Sequence, residues 1–179
     1  RRHKITETGV SPRAVPSTKG AIVRTNADEH DEYGYTSEDS SMTTRMMDKR
    51  MRKLTHLAKE LEERDIETTK FYGPEEADAT IISWGSTKGP IRETMKLLKQ
   101  DGVEVNYLQI LYLLPFPTNA VEGILRKARK TIVVENNKTS QLSGLIREHT
   151  LRDVDYKILK YDGRPFNPIY LSERIKEMV

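Results

Sequence analysis

A chain of 179 residues, 36% hydrophobic and 32% charged, can bury one sizeable core, and no apolar run in it approaches the roughly 20 residues of a membrane span. The absence of cysteine excludes a disulfide framework, a thiolate zinc site and cysteine-ligated iron–sulfur clusters within the chain, and it fits a reducing, cytoplasmic setting. The net charge of +3 is carried by basic clusters on either side of an acidic stretch; no aromatic interleaving or nucleic-acid motif accompanies them, so neither nucleic acid nor a membrane is expected as a partner. The first apolar stretch is short and interrupted, and no signal peptide is expected.

Residues 1–39 hold Gly9, Pro12, Pro16, Gly20 and Gly34 among many charges and read as an arm or linker, with one candidate strand in "AIVRT" at 21–25. From Ser40 the spacing of Met42, Met46, Met47, Met51, Leu54, Leu57, Ala58 and Leu61 predicts a long amphipathic helix over 40–64. Thr36 or Ser37 is the expected N-cap, with Glu38 and Asp39 near the helix's positive end. Beyond it strands and helices alternate. "ATIISWG" is a strand, and "GPIRETMKLLKQDG" is a helix that Gly102 stops. "VEVNYLQI" is a strand, followed by the helix "PTNAVEGILRKARK". "TIVVEN" precedes the helix "SQLSGLIREHT", and "DYKILKY" precedes the terminal helix "YLSERIKEMV". Parallel strands need crossovers, so this order predicts an α/β fold of three layers, a mostly parallel sheet with helices on both faces. The expected division is 1–39 as arm with acidic loop and 40–179 as the α/β domain, long helix included.

Ligands in open α/β sheets bind beyond the carboxyl ends of the strands. Two loops there carry polar residues. "GSTKG" at 85–89 lies between a strand and a helix, where backbone amides can hold an anion, but it lacks both nucleotide-binding glycine patterns and reads first as a tight turn. "VVENNKTSQL" places Glu135, Asn136, Asn137 and Gln141 after a buried-looking strand, to bind a ligand or to cap the next helix and meet a neighbouring subunit. A third cluster, "NADEHDEYGYTSED" at 26–39, surrounds His30 with carboxylates. The Ca²⁺-loop order is absent and zinc wants more nitrogen or sulfur ligands, so a metal site is disfavoured there. No serine or cysteine nucleophile of recognised pattern accompanies His30, and no catalytic, cofactor-binding or metal-binding residue is assigned.

The ordered series "ITETGVSPRAVPS", "ADEHDEYGYTSED", "KRMRKL", "YGPEEADATIISWGST", "LPFP", "VVENNKTSQL" and "YDGRPF" resembles the C-terminal part of the α subunit of 2-oxoacid:ferredoxin oxidoreductases, in particular the 2-oxoglutarate synthase-like members. The resemblance covers essentially the whole chain. It implies a transketolase C-terminal-like domain placed after a pyrimidine-binding domain that would lie before residue 1. The reaction it implies is thiamine diphosphate-dependent oxidative decarboxylation of a 2-oxoacid, with coenzyme A accepting the acyl group and ferredoxin the electrons. Thiamine diphosphate, Mg²⁺ and the iron–sulfur cluster would then lie elsewhere in the complex, on a thiamine diphosphate-binding β subunit, and this chain alone is expected to be inactive. By the same resemblance Arg13, Asp28, Glu29 and His30 approach the active-site entrance or a subunit interface, as do Glu135, Asn136, Asn137 and Gln141. Ser17, Ala27 and Ser140 stand where the family usually has glycine; if those positions need φ > 0, the local loops are expected to differ. Two other readings remain: a free-standing small-ligand or anion-binding α/β module, and the C-terminal domain of a non-oxidative transketolase or dehydrogenase β-subunit relative.

Overall fold

The computed structural model describes residues 1–179, which divide into two compact units, Arg1–Ile66 and Glu67–Val179. The division falls after the long helix. Helix α1 (Ser40–Glu63) therefore groups with the arm, whereas the division expected from the sequence puts it with the sheet domain.

In the first unit the candidate strand at 21–25 does not form, because a strand needs a ladder partner and none is paired there; Ile22 and Val23 stay exposed. The only pairing in the arm is an isolated antiparallel bridge between His30 and Thr36. Helix α1 is capped neither by Thr36 nor by Ser37 but by Asp39, whose Oδ1 accepts from the Met42 amide at 2.7 Å. Ser37 instead accepts the Asp39 amide, and Thr36 accepts from the Asn26 side chain. Gly9 is the arm glycine with the tightest surroundings: at φ +77° an added Cβ would lie 2.4 Å from the Lys49 carbonyl of α1.

The second unit is the three-layer sandwich that the alternating pattern predicts. Its strands are β1 (Thr69–Tyr72), β2 (Ala79–Trp84), β3 (Val105–Ile110), β4 (Thr131–Glu135) and β5 (Tyr156–Leu159), in the order β1-β3-β2-β4-β5. Only the β1–β3 pair is antiparallel. The helices are α2 (Lys88–Gln100), α3 (Thr118–Lys127), α4 (Gln141–Thr150) and α5 (Pro168–Lys176). Strand side chains alternate between faces, and that alternation makes two cores. Ala79, Ile81, Val105, Tyr107, Ile132, Val134 and Ile158 meet Ile91 and Leu98 of α2 and Leu171 and Ile175 of α5. Ile82, Leu108, Ile110 and Val133 meet Val121 and Leu125 of α3 and Leu142 and Ile146 of α4. Each fully buried aliphatic side chain contributes about 1.5–3 kcal/mol relative to exposure, so these two cores carry the stability of the unit. Gly102, at φ +78°, ends α2 and lets the Val103 amide return to the Leu98 carbonyl.

Candidate functional site

The strand order reverses at β2. The connection through α2 runs to β3 on one side, and the chain then returns through α3 to β4 on the other. Loops leaving β2 and β4 therefore diverge, and a crevice opens at the carboxyl ends of the two strands. A cavity of about 220 Å³ sits there, lined by Trp84, Gly85, Ser86, Thr87, Glu135, Asn136 and Asn137. A second, of about 610 Å³, shares Ser86, Thr87 and Asn136 and extends to Lys160, Arg164 and Phe166 beyond β5. Both loops marked in the sequence, "GST" and "ENN", thus meet at one crevice.

The interior of the "GST" loop is held by hydroxyls. Thr87 is buried, and its Oγ1 lies 2.7 Å from Ser83 Oγ and 2.8 Å from the Trp84 carbonyl. Ser83 Oγ is in turn 2.8 Å from the Tyr107 phenol, whose pKa burial pushes up to about 12. That phenol stays neutral across the physiological range and serves as a hydrogen-bonding group. Gly85 takes φ +65°, and a short 3-10 turn over Gly85–Thr87 passes into α2, so this loop is a tight strand-to-helix turn.

Glu135, 1% exposed, closes the β4 side. Its Oε1 accepts the Leu142 amide at 2.8 Å and the Ser143 amide at 3.3 Å, while Oε2 accepts from Leu142 at 3.0 Å and from the Asn137 side-chain amide. Asn137 Oδ1 accepts the Gln141 amide at 3.3 Å. The carboxylate thus lies against the positive end of α4 and satisfies amides that the first turn leaves without partners. Ser140, one of the three positions where the resemblance leads one to expect glycine, holds φ +54° just before the helix, and its Oγ lies 2.6 Å from Ser143 Oγ. Ser17 likewise holds φ +69°, so at these two positions the backbone keeps the left-handed conformation despite a side chain; Ala27 does not adopt it. A left-handed residue with a Cβ costs about 1–2 kcal/mol, which at Ser140 the hydroxyl contact offsets in part.

Of the "ENN" cluster, Glu135 and Asn137 are therefore engaged within the chain. Asn136 is exposed, faces both cavities and keeps its amide free; Gln141 is exposed and lines neither. Lys160 and Arg164, not singled out in the sequence, give the crevice positive charge, with Lys160 2.5 Å from Asp162. Their signal was available, since both follow the carboxyl end of a strand.

The remaining candidates belong to the first unit. Glu29 is bidentate on the Arg50 guanidinium, which with the His30 amide holds its pKa down to about 2. The His30 ring packs 4.1 Å from that of His3, and its Nδ1 lies 3.0 Å from the Asp31 carbonyl. Burial holds the His3 pKa below the usual imidazole range. Asp31 accepts the Tyr33 and Tyr35 amides, and Glu32 pairs with Arg1 and accepts the Ile5 amide. Within the acidic stretch Glu29 and Glu32 are thus ion-paired and Asp31 and Asp39 hydrogen-bonded, whereas Asp28 and Glu38, like Arg13 in the arm, are exposed without side-chain partners. No three His, Cys, Asp or Glu side chains come together in a way that could hold a metal ion.

Comparison with known proteins agrees with this architecture. Residues 77–169 match the model of the pyruvate:ferredoxin oxidoreductase core domain II family, a span that contains both crevice loops. The chain is 39% identical over 181 residues to 2-oxoacid:ferredoxin oxidoreductase 2, subunit alpha, of Aeropyrum pernix, covering 100% of this chain and 27% of the relative. It is 37% identical to 2-oxoacid:ferredoxin oxidoreductase 1, subunit alpha, of Sulfurisphaera tokodaii, again over 100% of this chain and 27% of the relative. Among solved structures, the 2-oxoglutarate:ferredoxin oxidoreductase from Magnetococcus marinus, with 2-oxoglutarate, coenzyme A and succinyl-CoA bound, superimposes with a TM-score of 0.71 and 31% identity. That match covers 98% of this chain and 30% of that one. The chain thus spans a little more than a quarter of the length of these relatives.

Proposed function

The chain belongs to the pyruvate:ferredoxin oxidoreductase core domain II family, within the α subunits of 2-oxoacid:ferredoxin oxidoreductases, and from that premise we propose that it organises the neighbours of a catalytic centre without supplying the reacting groups. One observation carries this reading. The buried acid of the crevice, Glu135, is fully engaged in holding α4, so the crevice offers neighbours a free Asn136 amide, the Trp84 indole and the Arg164 guanidinium, beside the Lys160–Asp162 pair. That is the chemistry of a polar docking surface.

The complex it would serve oxidatively decarboxylates a 2-oxoacid, with 2-oxoglutarate as the first candidate, to acyl-CoA while reducing ferredoxin. Thiamine diphosphate supplies the carbanion chemistry in such a reaction. The residues here do not fit a thiamine diphosphate–Mg²⁺ site, because no carboxylate in the crevice is free to ligate the ion. The cofactor, its Mg²⁺ and the iron–sulfur cluster are therefore assigned elsewhere in the complex, with a thiamine diphosphate-binding β subunit and a pyrimidine-binding domain as neighbours, in a cytoplasmic hetero-oligomer. No helix is long and apolar enough to cross a membrane.

In the first unit the free carboxylate of Asp28, next to the Glu29–Arg50 pair, is the group we assign to the entrance or subunit interface; Arg13, Glu29 and His30 complete that set. The test is a complex reconstituted with its β subunit and assayed for coenzyme A-dependent acceptor reduction with 2-oxoglutarate, pyruvate and branched-chain 2-oxoacids. Turnover with at least one substrate is expected, and a purified complex holding neither thiamine diphosphate nor iron would overturn the assignment. Asp28→Ala is expected to raise KM or lower turnover; unchanged values for both would remove Asp28 from the entrance.

A further inference from the structure

A polar cavity away from the crevice lies at the opposite end of the strands. It measures about 600 Å³, within the range of small-ligand sites, and is lined by Phe71, the 75–77 loop, Thr80, Asn106 and the end of α3 from Ile124 to Arg129. Its floor breaks the sheet's pattern. Thr80 and Asn106 are register partners on the face that carries Ile82 and Leu108 two residues later, where apolar side chains pack against α3 and α4. Two polar residues occupy positions whose alternation calls for apolar ones.

Asn106 is 4% exposed, and its amide orientation is fixed: Nδ2 donates to the Pro74 carbonyl at 3.1 Å and to the Glu75 carbonyl at 3.4 Å. Flipping the amide would set oxygen against oxygen. Oδ1 is therefore the acceptor left over, and it is the only buried side-chain polar atom in the chain without a hydrogen-bond partner. Leaving such an acceptor unpaired is destabilising, and a donor supplied from outside the chain would remove that penalty. Around it stand Glu75 and Glu76 on the loop and Lys127 and Arg129 at the end of α3, none of them in an ion pair, with Phe71 and Ile124 as apolar wall.

We infer that this cavity binds a small zwitterion with an apolar body, the chemistry of an amino acid or a dipeptide. The ammonium donates to Asn106 Oδ1 beside the two glutamates, the carboxylate meets Lys127 and Arg129, and the side chain lies on Phe71 and Ile124. The inference does not depend on the oxidoreductase assignment and concerns the other end of the sheet.

Titration of the full chain with L-phenylalanine and with leucyl-phenylalanine, followed by calorimetry and by amide NMR shifts at residues 75–80 and 106, tests it. The N-acetylated and C-amidated forms of each probe serve as controls, since each lacks one of the two charges. Saturable binding of a zwitterion, lost in both blocked forms, is expected; which of the two free probes binds distinguishes amino acid from dipeptide. Lys127→Ala combined with Arg129→Ala breaks no pairing within the chain and is expected to weaken binding by about tenfold or more, the loss of a charge-assisted contact. Absence of saturable binding at millimolar concentration, equal binding of the blocked forms, or affinity unchanged in the double variant would each overturn the assignment.

Discussion

At the residue scale the acidic stretch shows how a cluster that invites a metal reading is resolved by partners distant in sequence. Glu29 finds Arg50, 21 residues on, and Glu32 finds Arg1, 31 residues back. Neither pairing is visible in local spacing, whereas the Asp31 turn, closed on Tyr33 and Tyr35, is local. The Glu29 pKa is depressed from 4.5 to about 2, chiefly by the Arg50 hydrogen bonds, so the sign of its linkage follows. The stabilisation is complete above the unfolded value and is lost as pH falls through the folded one. Because Arg50 is partly exposed, solvent screening limits the pair to about 1 kcal/mol. Thermal melting of the wild type and Glu29→Gln should therefore differ most near neutral pH, with the wild type more stable, and converge as pH falls from about 4.5 toward about 2. A difference that grows with acidity would contradict the pairing.

At the element scale, long patterns were legible and short or capped features were not. The β-branched runs of β2 and β4 and the three-and-four spacing of α2, α3 and α4 identified those elements within a few residues, since burial imposes a period on the sequence. Strand β1 escaped because four residues, "TKFY", on an antiparallel edge carry too little alternation; only the register Thr69↔Ile110 to Tyr72↔Tyr107 defines it. The α1 cap escaped for a different reason. Thr36, Ser37 and Asp39 are all capping types, and the choice depends on where the chain turns after the His30–Thr36 bridge. Since Asp39 Oδ1 satisfies both the Met42 amide and the Ser41 hydroxyl, Asp39→Ala should cost about 1 kcal/mol and fray the first turn. Thr36→Ala should leave that turn intact. Amide hydrogen exchange at Met42 and Thr43 separates the two outcomes.

At the scale of the whole chain, the α/β architecture could be read from the strand–helix order, and the crevice from the rule that places ligands where that order reverses. What the crevice does chemically could not be read, because a Glu-Asn-Asn sequence is the same whether its acid is free or tied to a helix start. The boundary after Ile66 was also hidden, since an amphipathic helix does not specify which apolar surface receives it. Apolar burial nevertheless separates the two units sharply. Residues 1–66 bury only Met46 and Leu61 among hydrophobic side chains, whereas every member of both cores lies within 67–179. Folding must overcome roughly 1–2 kcal/mol of backbone entropy per residue, which two buried side chains cannot offset over a unit of that length. A chain of residues 67–179 should accordingly unfold in one cooperative transition, with the near-ultraviolet signal of Trp84 and Tyr107 retained before it. Residues 1–66 alone should show no cooperative transition, and a sigmoidal urea curve for that piece would mean that its ion pairs and hydrogen bonds hold it without an apolar core.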